Sequence, residues 1–300
     1  MELVSTVADA RKHIESARKA DKSVGFVPTM GALHEGHLNL IRACKRETWF
    51  TTVSLFVNPT QFGPTEDYRS YPTTLEDDLD ACGKEKVDMV FAPTAAEMYP
   101  DSHSTYVIQE RLTERLCGKA RPGHFNGVCT VLAKLLNIIR PDIAYFGQKD
   151  YQQTAVVRRL VADLNIPVEI RVLPTVREPD GLAMSSRNRF LGAPKSQERQ
   201  AATCLYRALQ RAKEMVARGE MSSAAILDEM TRIICETPHT RLDYAAIVDP
   251  DTLEDVEKIR TTAVAALAVH VGPARLIDNA LLNPRPVPAE GPFRKETRPA

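Results

Sequence analysis

The sequence predicts an α/β fold in which a doubly wound parallel sheet is followed by a smaller C-terminal α+β domain. Short β-branched or aromatic runs alternate with helical patterns through the first half, as expected for a parallel sheet covered on both faces. Beyond residue 176 the pattern changes, because long helical stretches come first and strand-like runs follow. A length of 300 residues, 43% of them hydrophobic, is enough for two domains with cores of their own.

The elements of the first half follow from this alternation. Four short apolar runs bounded by Pro, Gly or Asn predict strands at residues 24–27, 51–57, 87–91 and 143–146. Amphipathic patterns between them predict helices at residues 38–48, 74–84 and 128–139. Ligands of such sheets bind beyond the carboxyl ends of the strands. We therefore expect a site in the loops that follow strands, at residues 28–37, 58–62 and 147–153.

The second half is predicted to be a separate, smaller unit. A strand at residues 168–176 runs into the turn Glu178-Pro-Asp-Gly. Further elements are expected in the order helix, helix, strand, strand, at residues 195–218, 222–236, 242–248 and 263–271. The last residues are rich in Pro and charge without periodicity, which predicts a disordered tail. The predicted division is a larger domain, a smaller domain and the tail, at residues 1–176, 177–283 and 284–300.

Composition and charge exclude several classes of protein. Lys plus Arg and Asp plus Glu both number 39, so a net charge of zero argues against a broad basic footprint for nucleic acid. No apolar run approaches the length of a membrane span, and the first residues lack the regions of a secretory signal. The six cysteines form no C-x-x-C pair. Reduced thiols in a cytoplasmic protein are the simplest interpretation.

Residues 28–37, Pro-Thr-Met-Gly-Ala-Leu-His-Glu-Gly-His, carry the strongest single signal. They join a predicted strand to a helix, and such a turn presents N–H groups and the positive end of a helix dipole to an anion. His34 and His37 are three residues apart, so they share the helix face where a phosphate would bind. A helical zinc site needs H-E-x-x-H, and this spacing is one residue short. We expect no metal site here, and simple helix capping is the alternative.

Residues 56–62, Phe-Val-Asn-Pro-Thr-Gln-Phe, follow the next strand. The amides of Asn58 and Gln61 donate and accept hydrogen bonds, which suits a small polyol or carboxylate. An ordinary Asn-Pro turn is the alternative without chemistry. A loop at residues 121–127 adds a cation and a histidine, and its signal is weaker.

Residues 145–153, Tyr-Phe-Gly-Gln-Lys-Asp-Tyr-Gln-Gln, follow another predicted strand. Gly147 permits close backbone approach, and Lys149 offers a positive charge to a phosphate. Asp150 is suited to hold a ribose hydroxyl or to orient the lysine, and Gln153 shares its helical face. A solvated Lys–Asp pair at a helix end is the alternative.

Residues 181–188, Gly-Leu-Ala-Met-Ser-Ser-Arg-Asn, lie at the predicted boundary between domains. Two hydroxyls followed by an arginine make a mobile clamp for a polyphosphate, since the planar guanidinium matches phosphate oxygens. A hydroxyl-rich hinge between domains is the alternative. Each segment is a weak signal alone, whereas their combination in this order is specific.

Through P-T-M-G-A-L-H-E-G-H, F-V-N-P-T-Q-F, R-P-G-H-F-N-G-V, G-Q-K-D-Y-Q-Q and M-S-S-R-N, the chain closely resembles the pantothenate synthetase (pantoate–β-alanine ligase) family. This family belongs to the HIGH-type nucleotidyltransferase superfamily. The resemblance covers roughly residues 1–283 and implies a Rossmann-like domain that binds nucleotide and pantoate, a C-terminal lid domain and a homodimer. The resemblance does not extend to the tail after Asn283.

The resemblance implies roles for individual residues. Those implied to bind ATP are Met30, Gly31, Ala32, Leu33, His34, Glu35, Gly36, His37, Gly147, Gln148, Lys149, Asp150, Val176, Met184, Ser185, Ser186 and Arg187. Those implied to bind or enclose pantoate and β-alanine are Asn58, Gln61, Gln153, Tyr71, Arg121 and His124. The implied catalytic group is His34, His37, Lys149, Ser185, Ser186 and Arg187, with His37 as the usual proton donor.

The implied reaction activates an acid in two steps. The pantoate carboxylate attacks the α-phosphorus of ATP to give pantoyl adenylate and pyrophosphate, and β-alanine then displaces AMP to give pantothenate. Mg²⁺ enters with the ATP phosphates and not through a protein cage. Because water would hydrolyse the adenylate, we expect residues 64–71 and the smaller domain, through residues 184–187, to close over the reactants.

One departure and three rival functions stay open. The family more often has Glu where this chain has Gln148, which puts a carboxylate role there in doubt. A nucleotidyltransferase that joins AMP or CMP to a phosphorylated acceptor would share the phosphate site. An aminoacyl-tRNA synthetase would also need a basic tRNA-binding module, which this neutral chain lacks. A non-catalytic nucleotide sensor would not need both histidines, Lys149 and the Ser-Ser-Arg loop together. Amine-dependent release of free AMP separates the ligase from all three.

Overall fold

A computed structural model describes residues 1–63, 68, 71–193 and 196–282. Six strands form the larger sheet: β1 (Glu2–Val4), β2 (Val24–Thr29), β3 (Phe50–Leu55), β4 (Met89–Phe91), β5 (Ile143–Gly147) and β6 (Glu169–Leu173). Their spatial order is β1-β4-β3-β2-β5-β6, and every neighbouring pair is parallel. Strands β2, β3 and β4 follow one another toward one edge of the sheet, whereas β5 and β6 follow one another toward the other edge. The direction of strand succession therefore reverses between β2 and β5.

Helices cover both faces of this sheet: α1 (Val7–Lys19), α2 (Glu35–Glu47), α3 (Leu75–Lys84), α4 (Ala95–Met98), α5 (Leu116–Ala120), α6 (His124–Ile139) and α7 (Tyr151–Asp163). On one face, α1, α6 and α7 pack against Phe26 and Phe91. On the other face, α2 and α3 pack against Val27 and Val53. The predicted doubly wound parallel sheet is confirmed.

Helix α2 packs unusually close to β2, and Gly25 makes this possible. A Cβ atom at this position would lie 2.3 Å from the Sγ of Cys44 and 2.4 Å from the Oγ1 of Thr48. These distances are far below van der Waals contact, so a side chain there would push the helix away. The close packing holds the C-terminal end of α2 against the start of β2.

The C-terminal elements combine helices with a second, antiparallel sheet, which confirms the α+β part of the predicted fold class. They are α8 (Gln197–Ala202), α9 (Cys204–Ala217), α10 (Ser223–Cys235), β7 (Thr240–Val248), β8 (Ala263–Val271) and β9 (Ala274–Leu282). The three strands are ordered β7-β8-β9 and have their own core with α9 and α10. Val248 and Val264 of this sheet also join the core of the larger domain. Within the described ranges, no helix is long and apolar enough to cross a membrane.

The sequence pattern does not predict every element. Helices α4 and α5 are not predicted, and α7 is predicted only as a helix that begins near Asp150. Strand β1, helix α1 and strand β9 were not predicted, and the stretch at 195–218 is two helices that meet at Thr203. Strand β9 escapes the apolar pattern because Asp278 and Asn279 occupy buried positions in its interior. The predicted tail, residues 284–300, lies outside the described residues, and so do residues 64–67, 69 and 70 of the predicted closing loop.

Candidate active site

Three neighbouring strands bring the predicted loops together. Strand β2 lies between β3 and β5, and all three run in the same direction. Their carboxyl ends therefore meet at one edge of the sheet, at the point where the strand order reverses. The turn at 30–34, the amide segment at 58–61 and the turn at 147–150 all begin at this edge.

The two histidines cap helix α2 and stack on one another. His34 is the N-cap residue, and its Nδ1 accepts a hydrogen bond from the N–H of Gly36 at 3.2 Å. The Nδ1 of His37 accepts from the N–H of His34 at 3.4 Å, and the ring centroids are 4.1 Å apart. Since both Nδ1 atoms accept, the proton of each neutral ring lies on Nε2. Capping and ligand binding are thus compatible, because each ring keeps an N–H donor for a phosphate.

Both imidazoles are neutral near pH 7. Desolvation is the largest cause and lowers the pKa of His34 to about 4 and that of His37 to about 3. The positive charge of Lys149 lowers both values further, while Asp150 raises the pKa of His34. Burial and a nearby ammonium thus add to the effect expected of the helix dipole, which also disfavours a positive charge at this end of α2. A phosphate that entered beside these rings would raise both pKa values.

The turn before His34 already binds an anion of the protein itself. Asp78, on α3, is buried, and its Oδ2 and Oδ1 accept from the N–H groups of Ala32 at 2.9 Å and Leu33 at 2.7 Å. Gly31 and Ala32 have positive φ values of 83° and 50°, which points these N–H groups at one acceptor. The prediction that the turn exposes N–H groups to a ligand is therefore wrong for Ala32 and Leu33. Their role is to fix the turn through Asp78.

The turn at 147–150 presents Lys149 to the same space. Gly147 ends β5, and a Cβ built there meets no atom within 4 Å, so its surroundings are open to a ligand. The Nζ of Lys149 lies 3.6 Å from Oδ1 of Asp150, and the lysine side chain is only 20% exposed. Gln148 points elsewhere, because its Nε2 donates to Oδ1 of Asn279 on β9 at 3.3 Å.

The Ser-Ser-Arg loop approaches from the side of the smaller domain. The N–H of Met184 donates to the main-chain oxygen of Val176 at 3.0 Å, which closes a short hairpin. Ser185 then caps a 3-10 turn, since its Oγ accepts from the N–H of Arg187 at 3.2 Å. The hydroxyls of Tyr71 and Ser186 are 3.5 Å apart. Tyr71, from the larger domain, thus contacts the loop directly.

Amide side chains line the opposite part of the site and are held in place by other protein groups. Asn58 and Gln61 are 1% and 8% exposed, and Nδ2 of Asn58 donates to Oε1 of Gln61 and to the main-chain oxygen of Gly127, both at 3.1 Å. The hydroxyl of Tyr99 donates to Oδ1 of Asn58 at 2.8 Å. The Nε2 of Gln61 contacts Sδ of Met30 at 3.1 Å, a weak acceptor that a better one would replace.

Arg121 and His124 stand behind Gln61. The Nδ1 of His124 lies 2.8 Å from the main-chain oxygen of Gln61, and its Nε2 lies 3.1 Å from NH1 of Arg121. A carbonyl can only accept, so Nδ1 carries the proton and Nε2 accepts from the arginine. The histidine therefore orients both Gln61 and Arg121.

These segments enclose a cavity of about 240 Å³ between the domains. A neighbouring cavity of about 590 Å³ shares part of its wall, including Lys149, Gln153 and Arg187. The smaller cavity is lined by most of the predicted site residues: Met30, His34, Gly36, His37, Asn58, Gln61, Tyr71, Arg121, His124, Gly147, Lys149, Asp150, Gln153, Val176, Met184, Ser185, Ser186 and Arg187. Predicted residues absent from this lining are Gly31, Ala32, Leu33, Glu35 and Gln148.

Sequence reasoning missed three residues of this region. Asp78 fixes the turn, Tyr99 orients Asn58, and Thr175 lines the cavity with a buried hydroxyl that has no hydrogen-bond partner among the described residues. Only Asp78 carried a usable signal, since an acidic residue shares the buried face of α3 with Cys82. In the part of the chain that the structure describes, no group of three or more His, Cys, Asp or Glu side chains could hold a metal.

Comparison with known proteins identifies the family. A family model described as Pantoate-beta-alanine ligase matches residues 2–281. The chain belongs to the pantoate–β-alanine ligase family. It is 52% identical over 282 residues to the pantothenate synthetase of Moorella thermoacetica, covering 94% of this chain and 99% of that protein. It is 50% identical to the pantothenate synthetase of Thermotoga petrophila, covering 94% and 100%.

Solved structures of this family share the fold. The pantothenate synthetase from Thermus thermophilus superposes with a TM-score of 0.89 at 46% identity, covering 95% of this chain and 100% of that one. The pantoate–β-alanine ligase from Francisella tularensis, solved in complex with beta-gamma ATP and β-alanine, gives a TM-score of 0.77 at 34% identity, covering 96% and 100%. The family resemblance inferred from the motifs is confirmed.

Proposed function

We propose that this chain uses ATP to condense pantoate with β-alanine, through a pantoyl-adenylate intermediate, in the cavity between its two domains. The proposal rests on the combination of side chains that line this cavity. Its lining combines donors for phosphate, namely His34, His37, Lys149 and residues 185–187, with amides for a small hydroxy acid. Neither set alone would serve a reaction in which a carboxylate attacks a phosphate.

In the first step the carboxylate of pantoate attacks the α-phosphorus of ATP, and the bond to the β-phosphate oxygen breaks. The protein forms no covalent bond, so the catalytic effect comes from positioning and from stabilising the charge on the departing pyrophosphate. Lys149, Arg187 and the Nε2–H donors of His34 and His37 are suited to this task. Removing one such donor typically costs about 3 kcal/mol of transition-state stabilisation.

In the second step the amine of β-alanine attacks the acyl carbon of the adenylate, and AMP departs. Pantoate has to stay in place between the steps, and the buried amides of Asn58 and Gln61 with Gln153 are suited to hold its carboxylate and hydroxyls. A ligand oxygen is a stronger acceptor than the thioether of Met30, so pantoate would displace the existing contact of Gln61 Nε2 at little cost.

The protonation of His37 should respond to the nucleotide. Without ligand its pKa lies near 3, so the ring is neutral and donates through Nε2. Triphosphate brings negative charge next to the ring, which favours the imidazolium and raises the pKa. We expect an NMR titration of His37 to show a higher pKa with a non-hydrolysable ATP analogue than without it. An unchanged value would contradict contact between the ring and the phosphates.

Mg²⁺ belongs to the proposal as a companion of ATP. Bound to the phosphates, it would neutralise part of the charge on the departing pyrophosphate. Asp150 is a carboxylate of the cavity wall beside Lys149, and it is suited to contact the ion or the ribose. Tyr71 of the larger domain and Ser186 both line the cavity and are in contact, which supports closure over the adenylate to exclude water.

Oligomeric state and location complete the proposal. We propose a homodimer, since Tyr106 and Ile108 are 56% and 70% exposed on one segment without regular structure. Large apolar side chains exposed together favour a protein interface. Sedimentation of Ile108→Lys at half the wild-type mass would support the homodimer.

We also propose a cytoplasmic location, because all six cysteines are free thiols and five of them are buried.

The direct test is ATP–pyrophosphate exchange. Exchange should require pantoate and proceed without β-alanine, and addition of β-alanine should then release AMP and pantothenate in equal amounts. Exchange that ignores pantoate would contradict the proposed substrate. AMP retained in a larger product would favour the rival nucleotidyltransferase, and absence of any turnover would favour the nucleotide sensor.

A further inference from the structure

Two adjacent polar residues lie buried inside strand β9 of the smaller domain. Asp278 and Asn279 are each 3% exposed, whereas the neighbouring buried positions of the strand are apolar. Burying polar groups is unfavourable unless they are hydrogen-bonded, so each needs partners within the protein. The partners of Asn279 lie in the turn that carries Lys149, and the side-chain partner of Asp278 is Arg177, in the hairpin that leads to Ser185.

Asn279 binds the turn that carries Lys149. Its Nδ2 donates to the main-chain oxygens of Gln148 and Lys149, both at 2.9 Å. The Nε2 of Gln148 donates back to Oδ1 of Asn279 at 3.3 Å. The turn has no side-chain cap of its own, so a residue of the other domain fixes its carbonyl groups.

Asp278 binds the hairpin that leads to Ser185. Its Oδ2 and Oδ1 accept from NH1 and NH2 of Arg177 at 2.7 and 3.0 Å, a bidentate pair with the carboxylate almost fully buried. NH1 of Arg177 also donates to the main-chain oxygen of Gly181 at 3.0 Å, and Arg177 pairs with Ala183 across the hairpin. Oδ1 of Asp278 further accepts from the N–H of Asn279 at 2.8 Å, which joins the two halves.

We propose that Asp278 and Asn279 are positioning residues for the adenylation step. They connect the main chain of Lys149, in the larger domain, to the hairpin before Ser185, and so set the distance between the two groups of phosphate donors. The inference rests on the proposed assignment of Lys149 and residues 184–187 to ATP. A displacement of about 1 Å in such a group can lower a rate by about 10²-fold.

The two steps of the reaction make this role distinguishable from simple support of the fold. Adenylation needs the donors around pyrophosphate, whereas the attack of β-alanine on the finished adenylate occurs after pyrophosphate has left. Loss of the connection should therefore slow the first step and spare the second. A general loosening of the smaller domain should slow both.

The experiment compares Asn279→Ala and Asn279→Asp with wild type. Pantoate-dependent ATP–pyrophosphate exchange measures the first step. To measure the second step, the enzyme is first incubated with ATP, pantoate and pyrophosphatase so that it carries the adenylate. It is then separated from unbound nucleotide and mixed with β-alanine, and the formation of pantothenate is followed. We expect exchange to fall between about tenfold and about 10²-fold, with the second step within about twofold of wild type. The Asn279→Asp substitution keeps the side-chain volume but removes both N–H donors and adds a carboxyl group beside Asp278, so it is the more severe variant. Asn279→Ser, which keeps one donor and adds no charge, serves if neither of these variants folds.

Leu282→Ala is the matched control, since Leu282 is fully buried on the same strand in the core of the smaller domain. It should lower thermal stability and change both steps in equal proportion. Equal slowing of both steps in the Asn279 variants, or exchange at the wild-type rate, would overturn the positioning role. The variant Lys149→Ala distinguishes failure of the positioning role from failure of the proposed function. Exchange at the wild-type rate in Lys149→Ala would contradict the proposed ATP site itself, independently of the result for the Asn279 variants.

Discussion

The two walls of the cavity are built in different ways. The acid wall, formed by Asn58, Gln61 and Gln153, belongs to the larger domain, and its two buried amides are locked by Gly127, Tyr99 and each other. The phosphate wall combines His34, His37 and Lys149 with a loop of the smaller domain at residues 185–187. One wall is complete within a single domain, whereas the other exists only when two domains are correctly placed.

This difference suits the two substrates. A small hydroxy acid offers few atoms for binding, so a rigid set of amides recognises it at low entropic cost. A triphosphate offers charge over a large surface, and pyrophosphate has to leave before the second step. Substitutions in each wall should therefore have separable effects.

Lys149→Ala should have the largest effect, because it removes the ammonium of the phosphate wall. We expect pyrophosphate exchange to fall by about 10²–10³-fold, while the KM for pantoate changes little. Lys213→Ala, on the exposed side of α9, is the control for loss of a positive charge. If the KM for pantoate rose by a factor comparable to the fall in exchange, the two walls would not act separately.

Asp78→Ala should destabilise the turn beneath the phosphate wall. It leaves the N–H groups of Ala32 and Leu33 without their acceptor, which should lower the free energy of unfolding by about 2–3 kcal/mol. Urea unfolding measures this, and Asp80→Ala, exposed on the same helix, should change it little. Equal stabilities of the two variants would mean that the carboxylate does not hold the turn.

Gln61→Ala should affect the acid wall alone. Loss of one or two hydrogen bonds to pantoate should raise its KM by about tenfold, with the KM for ATP nearly unchanged. Gln61→Glu is nearly isosteric and should weaken pantoate binding more, since its charge opposes the substrate carboxylate. Steady-state kinetics with each substrate varied separately provides the check, and parallel changes in both KM values would refute the division.

The pH dependence of stability tests the protonation state of the two histidines without any substrate. His34 and His37 have depressed pKa values in the folded protein, of about 4 and 3, so between pH 6.5 and these values the unfolded chain binds protons that the native state does not. Their stabilising contribution is present above pH 6.5 and is lost as the pH falls. Each ring contributes at most about 1.4 kcal/mol per pH unit. His37→Asn should flatten the pH dependence of the unfolding midpoint, and a parallel curve would contradict a neutral buried ring.

Most of the residues that line the cavity could be predicted from the sequence, because their loops follow β2, β3 and β5 and because histidine, lysine and amide side chains carry recognisable chemistry. It did not identify Asp78 or Asn279, which bind main-chain atoms and have no motif of their own. Strand β9 was missed for the same reason, since buried Asp278 and Asn279 interrupt its apolar pattern. Residues that position other residues depend on tertiary contacts, and these contacts cannot be deduced from residue type and spacing.

The most direct test is a crystal structure with a non-hydrolysable ATP analogue and pantoate bound together. The triphosphate should lie within hydrogen-bond distance of Nε2 of His34 and His37, Nζ of Lys149 and the loop at 185–187. The pantoate carboxylate should lie between the α-phosphate and Gln61. A triphosphate bound by only one domain, or pantoate bound outside the amide wall, would contradict the convergence of the two walls on one reaction.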